Sequence, residues 1–140
     1  MDFNELHKKI KEYNARADFE PALLLLRDAA QQILKGEKIP IPDEKIEKFL
    51  KTTYSTIDWG VNFLKGAVWT NDLDDMSREI ELLGLQIIRK YGIEDLNIRL
   101  LFIRSVAAIE KDPEKQQILD KERRELVKKM IELENKGKKL

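Results

Sequence analysis

The 140-residue chain contains no cysteine. That absence removes disulfides, zinc–thiolate centres, iron–sulfur clusters and thiol nucleophiles together, and it leaves the redox compartment open. There is one histidine, His7. A catalytic triad or a multi-histidine metal site needs more than one. On a first helix rich in lysine, His7 reads as a surface group that titrates near neutral pH. The six glycines, at 36, 60, 66, 84, 92 and 137, are all isolated, so there is no glycine-rich phosphate loop. The Glu-x-x-His pairs of di-iron helical bundles are absent as well.

Net charge is also missing. With 26 basic and 26 acidic residues, no global field draws the chain to nucleic acid or to an anionic membrane. Long apolar runs are lacking too. The longest stretch without a charge is "LLGLQII", Leu82 to Ile88, far below the roughly 18 residues of a membrane span. The first residues, "MDFNELHKKIKEY", are charged throughout and do not read as a secretory leader. A cytoplasmic protein without membrane association is expected. No cofactor, no metal and no catalytic residue is expected either. An enzyme would have to run on carboxylates, lysine, tyrosine or a bound cofactor, and no constellation marks such a set. Abundant Lys, Glu and Ile without Cys is a composition that thermophiles favour.

What remains is a chain 42% hydrophobic and 37% charged, too apolar and too regularly patterned for disorder. Its length suits one helical domain over residues 1–140. Helical punctuation recurs along it, and no stretch alternates over a strand's length. Asp2 with Glu5 opens a short helix carrying Phe3, Leu6, Ile10 and Tyr13 on one side. Asp18 is placed to cap a second, with Pro21 in its first turn and Gly36 at its end. Pro40 and Pro42 force a loop. Asp43 starts a third helix reaching toward Trp69, weakened near Gly60, where a kink or break is expected. Gly60 and Gly66 point to close helix packing around Trp59 and Trp69. Thr70 or Asn71 opens a fourth helix that ends at Tyr91–Gly92, and Asp72, Asp74 and Asp75 lie in its first turn, against the positive end of its dipole. Counted as a calcium loop from Asp72, the required Gly and Glu positions hold Ser77 and Leu83, so capping is the better reading. Asp112-Pro113 closes the fifth helix and starts the sixth. The expected fold is therefore an all-α bundle of five to six helices. No repeat is visible.

The segment "NIRLLFIRSVAAIEK", Asn97 to Lys111, makes up most of an expected central apolar helix near residues 94–111 and decides the architecture. At 100° per residue, Leu96, Leu100, Ile103 and Ala107 gather on one side. Ile98, Leu101, Phe102, Ala108 and Ile109 gather on another. Asn97, Arg104 and Lys111 share one seam between them, and Arg99 and Glu110 share the other. Two apolar faces and two polar seams specify a central helix whose arginines escape along its margins. The sharper alternative pairs a buried arginine with the acids at 72–75.

Function is read from two further features. The second helix shows leucine all round, at 23 to 26. The last, residues 113–140, is amphipathic, with Leu119, Leu126 and Leu133 seven apart and Met130 between the last two. It is expected to project or to serve oligomerisation. The expected function is a non-enzymatic protein–protein interaction or assembly module, self-associating as a homodimer or joining another protein, with Leu24, Leu25, Leu119, Leu126, Met130 and Leu133 as its interface. The alternative is a nucleic-acid-binding subunit using Lys8, Lys9, Lys11, Arg123, Arg124, Lys128 and Lys129. Residues 70–95 are net acidic and residues 111–140 net basic, so these segments are expected to face each other, within one chain or across a dimer.

Overall fold

A computed structural model of the chain describes residues 2–36, 43–63 and 69–138. The Pro40–Pro42 loop, Gly66 and the last two residues lie outside them. Six α-helices follow in order: α1 (Phe3–Ala15), α2 (Phe19–Lys35), α3 (Asp43–Phe63), α4 (Asn71–Tyr91), α5 (Leu96–Ile109) and α6 (Pro113–Lys138). The chain is all-α, with no strand element among the described residues. None of the helices among these residues is long and apolar enough to cross a membrane.

The ends obey local chemistry. Asp2 accepts from the Glu5 N–H at 2.9 Å, Thr70 from Leu73 at 3.3 Å, and Asp112 from Glu114 at 3.0 Å. Each satisfies a first-turn donor that has no intrahelical acceptor. Asp95 caps α5 through the Ile98 N–H at 3.0 Å, a signal absent from the sequence reading. Asp18 departs from expectation, because its side chain makes no capping bond. Its backbone is committed to ending α1. The Asp18 N–H donates to Tyr13 O at 2.9 Å and the Ala17 N–H to Asn14 O at 3.1 Å. That pair closes α1 with a Schellman turn, and Ala17 supplies the left-handed residue at φ 55°.

No break occurs at Gly60; α3 runs through it to Phe63. The glycine has a packing reason, since a Cβ there would lie 2.3 Å from the Trp69 ring. Gly84 in α4 has the same role, with the Phe102 ring 2.2 Å from where its Cβ would be.

The buried side chains form two clusters with α5 between them. The larger joins α1 to α5 and includes Phe19, Leu23, Leu26, Phe49, Leu50, Ile80, Ile98 and Phe102. The smaller holds Leu85, Ile103, Val106, Ala107, Leu119 and Leu126, with Leu96 and Leu100 packed against it. The two apolar faces of α5 therefore serve different cores, and α5 packs on α3, α4 and α6. Its arginines stay at the margins: Arg104 is exposed, and Arg99 is half-buried beside Glu122 at 3.8 Å. The leucine-rich α2 is likewise enclosed by α1, α3 and α4. Leu23 and Leu26 are fully buried, Leu25 is half-buried against the larger core, and only Leu24 is open, at 40% exposure.

Candidate functional site

The last helix is far longer than the element it packs on. At 1.5 Å per residue, α5 spans about 21 Å and α6 about 39 Å. The proximal part of α6 lies against α5, and Leu119 and Leu126 complete the smaller core at 6% and 2% exposure. Those two leucines are consumed within the chain, which corrects the interface set read from the heptad spacing. Spacing identifies a stripe, but neighbours decide what covers it. Beyond Leu126 the cover runs out. Met130 is half-buried, and Ile131 and Leu133 are exposed, Leu133 at 59%.

The most exposed large apolar residue of α6 is Ile118, at 64%. It forms one wall of a shallow groove with Leu82, Leu85, Val106 and Leu119, rimmed by Gln86, Arg89, Glu110 and Lys115, with a volume of about 280 Å³. Ile118 and Leu133 are 15 residues apart, which places them about 60° apart on the same side of the helix, some 22 Å from each other. Glu122 follows Ile118 by four residues, and Lys129 precedes Leu133 by four. This side of α6 thus reads apolar–acid–base–apolar. Ile118 was not part of the interface inferred from sequence; it lies some 80–100° round the helix from the buried Leu126 and Leu119.

Glu122 also joins α6 to the body. It accepts from Arg89 of α4 at 3.1 Å and lies 3.8 Å from Arg99 of α5. The contact between the acidic α4 segment and the basic α6 segment is therefore made by a base of the first and an acid of the second, reversing the segment averages. Leu24 stands apart from this surface, since α2 and α6 do not pack together.

The basic residues proposed for nucleic acid are not gathered. Lys8, Lys9 and Lys11 lie on α1, which packs on α2 and α3, whereas Arg123, Arg124, Lys128 and Lys129 lie on α6, which packs on α5. Arg123 sits 3.9 Å from Asp120. The acids opening α4 serve their own helix. Asp74 accepts from the Trp69 indole at 3.2 Å and pairs with Arg78 at 3.0 Å, while Asp72 and Asp75 remain exposed. No group of three or more potential metal ligands occurs among the described residues.

A second polar recess, about 230 Å³, is lined by Tyr54, Leu101, Arg104 and Ser105. The Ser105 hydroxyl donates to Leu101 O at 3.0 Å. Burial raises the Tyr54 phenol, assisted by Asp58 and Glu81 and opposed by Arg104. Glu81 nearby is pushed up to about 7, first by burial and then by the like charge of Asp74, with Arg78 opposing. No protein-family model, curated protein or solved structure matches the chain.

Proposed function

We propose that this chain is a non-enzymatic helical assembly module that pairs with a second copy of itself through the side of α6 that carries Ile118 and Leu133. The observation carrying this reading is the self-complementary order Ile118, Glu122, Lys129, Leu133. When two such faces run antiparallel, Ile118 of each copy meets Leu133 of the other, and Glu122 comes level with Lys129. A twofold axis makes every one of these contacts twice, as an isologous interface requires. Each Leu133 then enters the groove of Leu82, Leu85 and Ile118 on its partner. Four apolar side chains leaving water contribute roughly 1.5–3 kcal/mol each. Association itself costs about 4–15 kcal/mol. At the favourable end of both ranges the balance is about 8 kcal/mol, which corresponds to a concentration-dependent dimer with Kd near a micromolar. Glu125 falls near the axis, where it faces its own copy.

The test is sedimentation velocity over a concentration series. The intact chain should pass from monomer to dimer, Ile118→Asp and Leu133→Asp should each remain monomeric, and Glu125→Gln should tighten the dimer. Lys129→Glu should weaken it by setting two acids level with each other. A chain that stays monomeric at hundreds of micromolar, or an Ile118→Asp chain that dimerises as the intact chain does, refutes the reading.

A further inference from the structure

The two cores differ in what they need from the sixth helix. The larger takes side chains from α1 to α5 and none from α6, so the five-helix body closes without it. The smaller is completed by Leu119 and Leu126, the only buried residues of α6 among those described. By backbone proximity α6 packs on α5 and on no other helix among the described residues. α4 reaches it through side chains, Leu85 in the smaller core and Arg89 on Glu122. Two leucines seven residues apart, with one carboxylate shared between Arg89 and Arg99, are thus the main ties on 26 residues of helix.

The joint is as local as the ties. Residues 110–112 separate the two helices, and Glu110 is already extended. Pro113 has no N–H to donate into α5 and disfavours a helical Asp112, so α5 cannot run on into α6. Within the joint the Asp112 N–H donates to Glu110 Oε1 at 3.2 Å, and across it the Gln116 amide donates to Ala107 O at 3.4 Å. Undocking bares Leu119 and Leu126 together with Ile103, Val106 and Ala107, and leaves the larger core whole. Openings confined to one element cost less than global unfolding. A helix parted from its apolar partner is marginal in water, so undocking also frees its backbone amides.

We infer that α6 is a latch that leaves and rejoins the five-helix body as a unit of its own, and that only the docked state can pair. The second half rests on the pairing of copies proposed above, because Ile118 stands beside Leu82 and Leu85 only while α6 is docked. Whatever undocks α6 then weakens pairing in proportion to the docked fraction lost.

Hydrogen exchange of the full chain carrying Leu133→Asp measures the latch without pairing, under conditions where rates report populations. Amides of residues 119–126 should exchange about tenfold or more faster than those of residues 23–30 in α2, with a smaller urea dependence, because less surface is exposed. Leu23→Ala, in the larger core, raises the docked and undocked states alike. It should speed the α2 amides by about 30-fold or more and leave residues 119–126 unchanged. Should that cavity prevent folding, Ile80→Val gives the same separation at roughly a few-fold. Leu126→Ala raises the docked state alone and should speed residues 119–126. Equal rates and urea slopes in the two segments, or a Leu23→Ala effect of the same size on both, overturns the latch. In the intact chain, raising the concentration through the dimer midpoint should slow residues 119–126. A chain that dimerises without that slowing overturns the second half. A chain that never pairs refutes the pairing reading and the second half with it, while exchange in Leu133→Asp still decides the first.

Discussion

Glu81 offers a quantitative check on the packing of α4 against α3 and α5. Its carboxyl is pushed from 4.5 to about 7, mainly because the fold removes water from it. Arg78, the nearest relief on its own helix, is paired with Asp74 at 3.0 Å, and Asp74 adds repulsion. In the unfolded chain the group ionises near 4.5. Between 4.5 and 7 the folded protein therefore keeps a proton that the unfolded chain has released. Stability falls as pH rises through that window, and above 7 the full penalty is present. At about 1.4 kcal/mol per pH unit the upper bound is about 3 kcal/mol. The carboxyl retains some contact with solvent, so screening brings the expected cost to roughly 1–3 kcal/mol. Glu81→Gln removes the charge and keeps the shape. It should stabilise the protein by that amount at pH 8, raising Tm by roughly 3–10 °C, and should lose the advantage at pH 4, where the native carboxyl is protonated in both states. Urea unfolding of both proteins at pH 4, 6 and 8, at one fixed concentration, measures it. A gain of equal size at pH 4 and pH 8, or no gain at pH 8, would show that Glu81 is not desolvated in the way described.

Two further substitutions test the backbone and the core. Gly84→Ala places a methyl 2.2 Å from the ring of fully buried Phe102, so overpacking of about 1–3 kcal/mol outweighs the roughly 1 kcal/mol of helix propensity gained; the urea midpoint should fall with an unchanged slope. Ala17→Gly relieves the left-handed residue at φ 55°, and the relief of about 1 kcal/mol is partly offset by the freer unfolded chain. A net gain of roughly half a kcal/mol is expected there, whereas Ala108→Gly, in the last turn of α5, should be destabilising.

Much of the fold was legible because its signals are local. The caps at Asp2, Thr70 and Asp112, and the glycine stops at Gly36 and Gly92, sit where a single turn of backbone needs an acceptor or a left-handed residue. Asp18 misled because the same local rule applies at both of its sides: it lies three residues past the end of α1, within its closing turn, as well as one before the start of α2, and the first demand took its backbone. The expected break at Gly60 failed for another reason. Its missing Cβ answers to Trp69, nine residues away, and not to the helix itself.

The candidate surfaces were less legible. The heptad of Leu119, Leu126 and Leu133 is uniform in sequence, yet two of its members are buried and one is open, because α5 ends before α6 does. Ile118, outside that heptad, became the more exposed residue. The histidine dismissed as a lone surface group acquired its setting from α3, whose lysines are some forty positions away.

The order of residues by itself determined an all-α chain, several of its helix ends, and a fifth helix with two apolar faces, since each follows from hydrogen bonding and side-chain direction within a few turns of one helix. Only the tertiary structure decided which leucines of α6 are covered, why Glu81 is short of water, and that His7, Lys48 and Lys51 line one recess. Those properties belong to the distances between helices, where burial and electrostatic fields arise, and no periodicity within a single helix encodes them.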